Sequence, residues 1–222
     1  MWKIYNIIRL VIFLPWTIFF NFRVLPFKEA VKLPIWFYVR PTLLSCGKVH
    51  VVSDNIRPGI VKLGGRISLM NPWKQFRWNN SGLVILHEGV FVADHSFFCI
   101  EHNGVLEIGK NVVFNCNAQI FCKNKITIGN DCAFGWNVSI LDMDYHSIKD
   151  MISGKTKKES APISIAEHCW IANHCTVLKG TKLPKGSIVS SHSVVKNKFK
   201  KENSIYAGNP LVLVDEGYEW QL

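Results

Sequence analysis

The phrase Asp142-Met143-Asp144-Tyr145-His146 places a histidine two and four residues after carboxylates, a spacing suited to proton transfer. Imidazole has an ordinary pKa of about 6.5, so at neutral pH it can take a proton and return it. A carboxylate on its second ring nitrogen selects the tautomer and holds the ring. In an extended segment, side chains at 142, 144 and 146 alternate onto one face, so Asp142 or Asp144 is placed for that role. The plainer alternative is a loop histidine beside two solvated carboxylates.

The pattern that His146 interrupts favours chemistry. Ile165, Ile171, Val177, Leu183, Val189 and Val195 recur at every sixth residue. A period of six fits neither a helix nor an isolated strand. It marks a chain that coils and stacks on itself, with three hexapeptides making a triangular turn of about 18 residues. Ile108-Gly109, Phe114, Ile120 and Ile126 form an earlier set, and Ile128-Gly129, Phe134 and Ile140 the next, shifted by two. Leu86, Val92 and Phe98 read as a turn before those, and Leu63-Gly64 with Leu69 as one earlier still. His146 stands where the following apolar anchor belongs. A polar stretch of about 16 residues then precedes Ile163, and a loop that long in a tight solenoid is usually functional. It is expected to project from one edge directly after the histidine.

This organisation predicts three regions: an apolar and basic extension over 1–60, the solenoid over 61–205, and a tail over 206–222. The net charge is +10, from 26 basic and 16 acidic residues, which points to an anionic partner. Basic residues concentrate in 149–158 and 196–201 without aromatic interleaving, so nucleic acid is not expected. The seven cysteines form no CxxC pair, so neither a disulfide framework nor a zinc knuckle is signalled. Cys132, Cys169 and Cys175 share the fifth place of their hexapeptides and read as structural thiols in a reducing compartment. His168 and His174 are six apart, so they occupy equivalent places on successive faces and point away from each other. The spacing of His87, His95 and His102 does not fit an intersubunit zinc site, and no metal is expected. The uncharged run 10–22, broken by Pro15 and flanked by Lys3, Arg9 and Arg23, is too short to span a bilayer. No small-x-small cleavage site follows it. It reads as a retained helix that lies on a membrane surface or packs on a neighbouring subunit.

Ile128-Gly129, Phe134-Gly135-Trp136-Asn137-Val138 and Asp142-Met-Asp144-Tyr-His146-Ser-Ile148 together resemble the active-site turn of the hexapeptide-repeat acyltransferases. The maltose/galactoside and sugar O-acetyltransferase branch is the most similar, with xenobiotic acetyltransferases nearby. Cys169-Trp170-Ile171-Ala172 and Val177-Leu178-Lys179-Gly180 resemble that family's "WIG…LKG" turn. Tyr206-Ala207-Gly208-Asn209-Pro210 resembles its closing "AGNP". The similarity covers residues 105–212. The pattern across Asn21 to Ile35 also resembles the lead of capsule and O-antigen acyltransferases. Ala172 and His192 stand where glycines are usual, and Leu211-Val212 where a cation is common.

The resemblance implies an all-β, left-handed parallel β-helix and a homotrimer with sites between subunits. It also implies transfer from acetyl-CoA to a hydroxyl of a sugar or lipid-linked glycan, without a covalent intermediate. The protein would then work in the cytoplasm, at the inner membrane face. His146 becomes the general base and Asp144 or Asp142 its orienting partner, with Asp142 a further candidate on the acceptor side. Asn137 matches a polar acceptor-side position; alternatively it bonds neighbouring backbone. Trp136 either stacks on a sugar ring or fills a corner. Asn173 falls along the pantetheine groove, Ser191 and the Lys196–Asn197 pair fall where CoA is contacted, and Lys198 lies near its phosphates with Lys200 and Lys201. N-acetylation of an amino sugar on a nucleotide-linked donor, and a solenoid that kept the fold but lost the chemistry, are the alternatives.

Overall fold

A computed structural model describes residues 2–65 and 75–221; Leu69 lies outside them. Among the described residues, sheets of nine, seven and six strands form three faces of a prism around one core. All pairings are parallel except the last, in the first sheet. This is a left-handed parallel β-helix.

The sixfold pattern arises because each face sends one apolar side chain to the axis per coil. Leu63, Val92, Phe114, Phe134, Ile171 and Val189 stack in register on the first face. Trp78, Phe98, Ile120, Ile140, Val177 and Val195 do so on the second. Leu86, Ile108, Ile128, Ile165 and Leu183 do so on the third. All of these are buried. The two-residue shift has a simple cause: strands of the third face between 83 and 165 carry two inward side chains, such as Ile126 and Ile128. The stacked rings of Phe114 and Phe134, 4.4 Å apart, mark the middle of the core.

The parallel stack begins earlier than residue 61. Strands β1 (Ile35–Phe37), β2 (Pro41–Ser45) and β3 (Lys48–Val52) form a first coil that pairs with the one above on all three faces. Its buried side chains are Ile35, Val39, Val49 and Val51 with Phe37, and the connections to the next coil are longer than most of those between later coils, so it does not continue the sixfold register. Phe37 of this coil packs with Phe76, Trp78 and Phe98 of the two coils above it, and Phe20 closes the end by packing edge-on against Phe37 and Trp78.

Phe20 belongs to helix α1 (Trp2–Val24), followed by the short α2 (Phe27–Ala30). Helix α1 covers the open edge of β1. The Asn21 side chain donates to Ile35 O at 2.7 Å and accepts Ile35 N–H at 3.1 Å, and Thr17 Oγ1 accepts Phe37 N–H at 3.1 Å. Peptide groups that the first coil cannot pair with a coil below are thus satisfied by side chains. No helix among the described residues is long and apolar enough to cross a membrane. At the other end, Ser204–Ala207 pairs antiparallel with Val212–Glu216. The tail then folds back, where Trp220 stacks on His168 and its indole N–H donates to His168 O at 2.9 Å.

The thiols of Cys132, Cys169 and Cys175 are buried and free, each donating to a carbonyl oxygen of the next coil. Asn21 and the outward residue Val11 should respond very differently to truncation. Asn21→Ala is expected to lower the unfolding free energy by about 3 kcal/mol, because buried donors and acceptors lose partners. Val11→Ala should change it by about 0.5 kcal/mol or less. Urea titrations check this, and equal losses would contradict the capping role.

Candidate active site

Residues 142–162 leave the solenoid at the corner between the second and third faces, after the strand Ser139–Leu141, and return at Ile163–Ile165. The excursion is an ordered antiparallel hairpin, with Met143 paired to Ser160 and Lys149 to Thr156. At its tip the Asp150 carboxylate accepts the Ser153 hydroxyl and the N–H groups of Ile152 and Ser153. These bonds, the hydroxyl first, hold Asp150 below the usual carboxylate range.

Both aspartates proposed as partners of His146 are committed to the root of this loop. Asp142 is fully buried and accepts the N–H groups of Lys123 and Asn124 at 2.8 Å each. It cannot meet an acceptor. Asp144 pairs with Lys179, whose ammonium also donates to the carbonyl oxygens of Lys158 at 2.6 Å and Glu159 at 3.3 Å. Lys123 adds an ion pair to Glu159 at 2.6 Å. One ammonium therefore ties both strands of the hairpin to the coil above. The carboxylates position the loop rather than the imidazole.

The expected alternation of 142, 144 and 146 fails at Tyr145. Its φ is +62°, and His146 N–H donates to Asp144 O at 2.7 Å, closing a three-residue γ-turn. That turn reverses the chain and sends His146 outward, so its ring is exposed while Asp142 points into the core. Tyr145 packs edge-on against Phe121 at 5.7 Å, which supports the turn. Burial, first among the causes, pushes its hydroxyl up to about 12.

The other sequence candidates fall at two corners. Trp136, Asn173 and Ser191 stack in one column at the corner between the first and second faces, as the backbone bonds His174 N to Trp136 O and His192 N to Asn173 O establish. Trp136 is half exposed, and the Ser191 hydroxyl donates to Asn173 Oδ1 at 2.9 Å. Beside that column runs a second one of left-handed residues, Asn117, Asn137, His174 and His192. Asn137 accepts from Asn117 Nδ2 at 2.7 Å, and its own amide lies 3.2 Å from His174 Nε2. The His174 and His192 rings stack at 4.7 Å. Asn137 thus bonds side chains of adjacent coils, not backbone. His168, by contrast, lies at the corner with Trp220, away from His174 as its spacing requires.

Lys196, Asn197 and Lys198 lie at the corner that bears His146, on the far side of the second face from Asn173 and Ser191. The second face separates the two sets by roughly 15 Å, judged from the strand rise. Lys198 lies in a groove of about 840 Å³ on the third face, lined by Lys182, Lys185 and Lys200 and also by Glu107, Glu167 and Glu202. Lys185 is paired with Glu167 at 2.6 Å. Lys182 and Lys185 carried no sequence signal as ligands; only the bridge between Lys182 and Lys198 brings them beside the basic run. Trp170 is a further addition. It stands outward on the first face, 40% exposed, in register with Ala133 and Ile188.

The sequence matches no protein-family model and no curated protein. Solved structures do share the architecture. The polysialic acid O-acetyltransferase OatWY aligns with a TM-score of 0.50 at 25% identity, over 67% of this chain and 71% of its own. The fold is an acetyltransferase fold. The polySia-specific acetyltransferase NeuO aligns with a TM-score of 0.53 at 19% identity, over 85% and 84% of the two chains. AntD, an N-acyltransferase from Bacillus cereus solved with dTDP and coenzyme A, aligns at 12% identity and a TM-score of 0.49, over 82% and 80%.

Lys179→Met should release the loop while sparing the coil. Amide hydrogen exchange across 143–161 is expected to speed up at least tenfold, with the β-strands still protected. Unchanged exchange in the loop would show that the ammonium does not anchor it.

Proposed function

We propose that this chain is an acyltransferase that moves an acetyl group from acetyl-CoA to a hydroxyl of a sugar or glycan, as a homotrimer at the inner membrane face. The observation that carries the reading is His146: an exposed imidazole on a strained turn, at the root of a loop pinned by Asp142 and by Asp144–Lys179. OatWY, which shares the fold, is named as acting on polysialic acid. A negatively charged glycan also suits a chain of net charge +10 whose loop carries exposed Lys149, Lys155, Lys157 and Lys158.

In the proposed step an imidazole nitrogen of His146 takes the hydroxyl proton as the oxygen attacks the thioester carbonyl. Backbone N–H groups stabilise the tetrahedral oxyanion. When the intermediate collapses, the C–S bond breaks and the imidazolium returns its proton to the departing thiolate. No cysteine is acylated. Asp144 acts through the loop, as a positioning residue. Trp136, Asn137, Asn173 and Ser191 form the acceptor and pantetheine surface, and the lysine groove meets the phosphates as point charges. A base and a binding corner roughly 15 Å apart cannot converge on one carbonyl carbon within a single protomer. The base therefore serves the corner of a neighbouring subunit. The hairpin tip, with Met151 and Ile152 almost fully exposed, is shaped to reach that subunit.

His146→Ala is expected to cost at least 100-fold in turnover, measured as CoA release with polysialic acid, free sugars and lipid-linked glycans as acceptors. Sedimentation should show an unchanged assembly. A variant with full turnover ends the assignment of His146, and CoA binding without release on any acceptor favours a scaffold over an enzyme.

A further inference from the structure

Helix α1 is apolar on both sides. Its inner stripe sets Phe20 and the partly buried Phe13, Trp16 and Val24 against the core, together with the buried polar residues Arg9, Thr17 and Asn21, the last two holding the edge of β1. Its outward stripe is Ile8, Val11, Ile12, Leu14, Ile18, Phe19 and Phe22, each at least 40% exposed. A helix at the surface of a soluble protein turns a polar face outward instead. Phe27 and Val31 extend the outward stripe through and beyond α2, at 72% and 50% exposed. The resulting patch is on the order of 800 Å², above what soluble monomers ordinarily leave exposed.

Two further features indicate what covers it. Exposed Arg23, Lys28, Lys32 and Arg40 border the patch, and no acidic residue occurs before Glu29. Beside α1 an apolar hollow of about 350 Å³ is lined by Pro15, Trp16, Phe19, Pro41 and Leu43. The Arg40 guanidinium lies 5.9 Å over the Trp16 ring at that hollow. An apolar stripe with a basic collar is complementary to acyl chains beneath anionic headgroups. The helix is not apolar enough along its length to cross a bilayer, so a position in the plane of the interface is the one its stripe suits.

We infer that α1 and the Trp16–Pro41 hollow form an interfacial docking surface for an anionic phospholipid bilayer. Because Phe20 plugs the end of the solenoid, the patch faces along the coil axis and not from its sides. Three chains joined side by side as the proposed trimer would present three such helices at one end, against one flat surface. That trimer adds avidity, but docking by a single chain does not depend on it or on catalysis.

Flotation of the purified full-length protein with phosphatidylglycerol/phosphatidylcholine vesicles tests this, with pure phosphatidylcholine vesicles beside them. Wild type is expected to float with the anionic vesicles and to do so at least tenfold less with neutral ones. Val11→Glu/Phe19→Glu should lower anionic binding at least tenfold while CoA release on a soluble acceptor persists. Arg23→Gln/Lys28→Gln/Arg40→Gln should reduce the anionic preference. Wild type that stays with neither vesicle, or a Val11→Glu/Phe19→Glu variant that floats like wild type, overturns the proposal. A glutamate variant that dissociates the assembly in sedimentation assigns the patch to a second copy instead, and so overturns it too. Loss of CoA release with floating intact would count against the acyltransferase reading alone.

Discussion

In-register parallel stacking governs the whole molecule. On all three faces each coil pairs its peptide groups with the coils above and below, so a residue inserted within a face would displace every side chain after it and leave backbone groups unpaired. Extra chain can enter only where the backbone turns a corner, and the two ends of the stack must be closed by something other than another coil. The 142–162 hairpin is a corner insertion, between strands Ser139–Leu141 and Ile163–Ile165 that keep their register. Helix α1 and the Val212–Glu216 strand are the two end closures.

The same constraint decides what the aspartates do. A hairpin rising from a corner has few contacts of its own, and its γ-turn at Tyr145 costs about 1–3 kcal/mol. Charge-assisted bonds contribute about 1.5–3 kcal/mol each, and Asp142 accepts two from backbone N–H groups while the Lys179 ammonium makes three. Anchoring therefore outweighs the strain, and the histidine is presented in one place. Carboxylates that stand in sequence as partners for His146 act through the backbone that carries it.

The middle and end of the solenoid were legible because one inward aliphatic per hexapeptide leaves a periodic trace, as from Ile165 to Val195. The first coil was not, since its connections to the next coil are longer than most of those between later coils and its pairing with that coil is irregular. The break at His146 was legible as an interruption. The roles of Asp142 and Asp144 were not, because alternation assumes extended backbone and a tyrosine gives no warning of a positive φ. The Asn137–His174–His192 ladder joins residues far apart in the chain, and becomes visible only once the length of each coil is fixed.

The claim on which most depends is that the imidazole of one subunit serves the Trp136–Asn173–Ser191 corner of another. Mixed trimers of His146→Ala and Asn173→Leu chains, co-expressed with separate tags and purified through both, test it by their CoA-release rate. Each parent is expected to be nearly inactive, and the mixture to recover a readily measured fraction of wild-type turnover, because some interfaces then join an intact base to an intact corner. Verified mixed trimers as inactive as their parents would contradict a site shared between subunits.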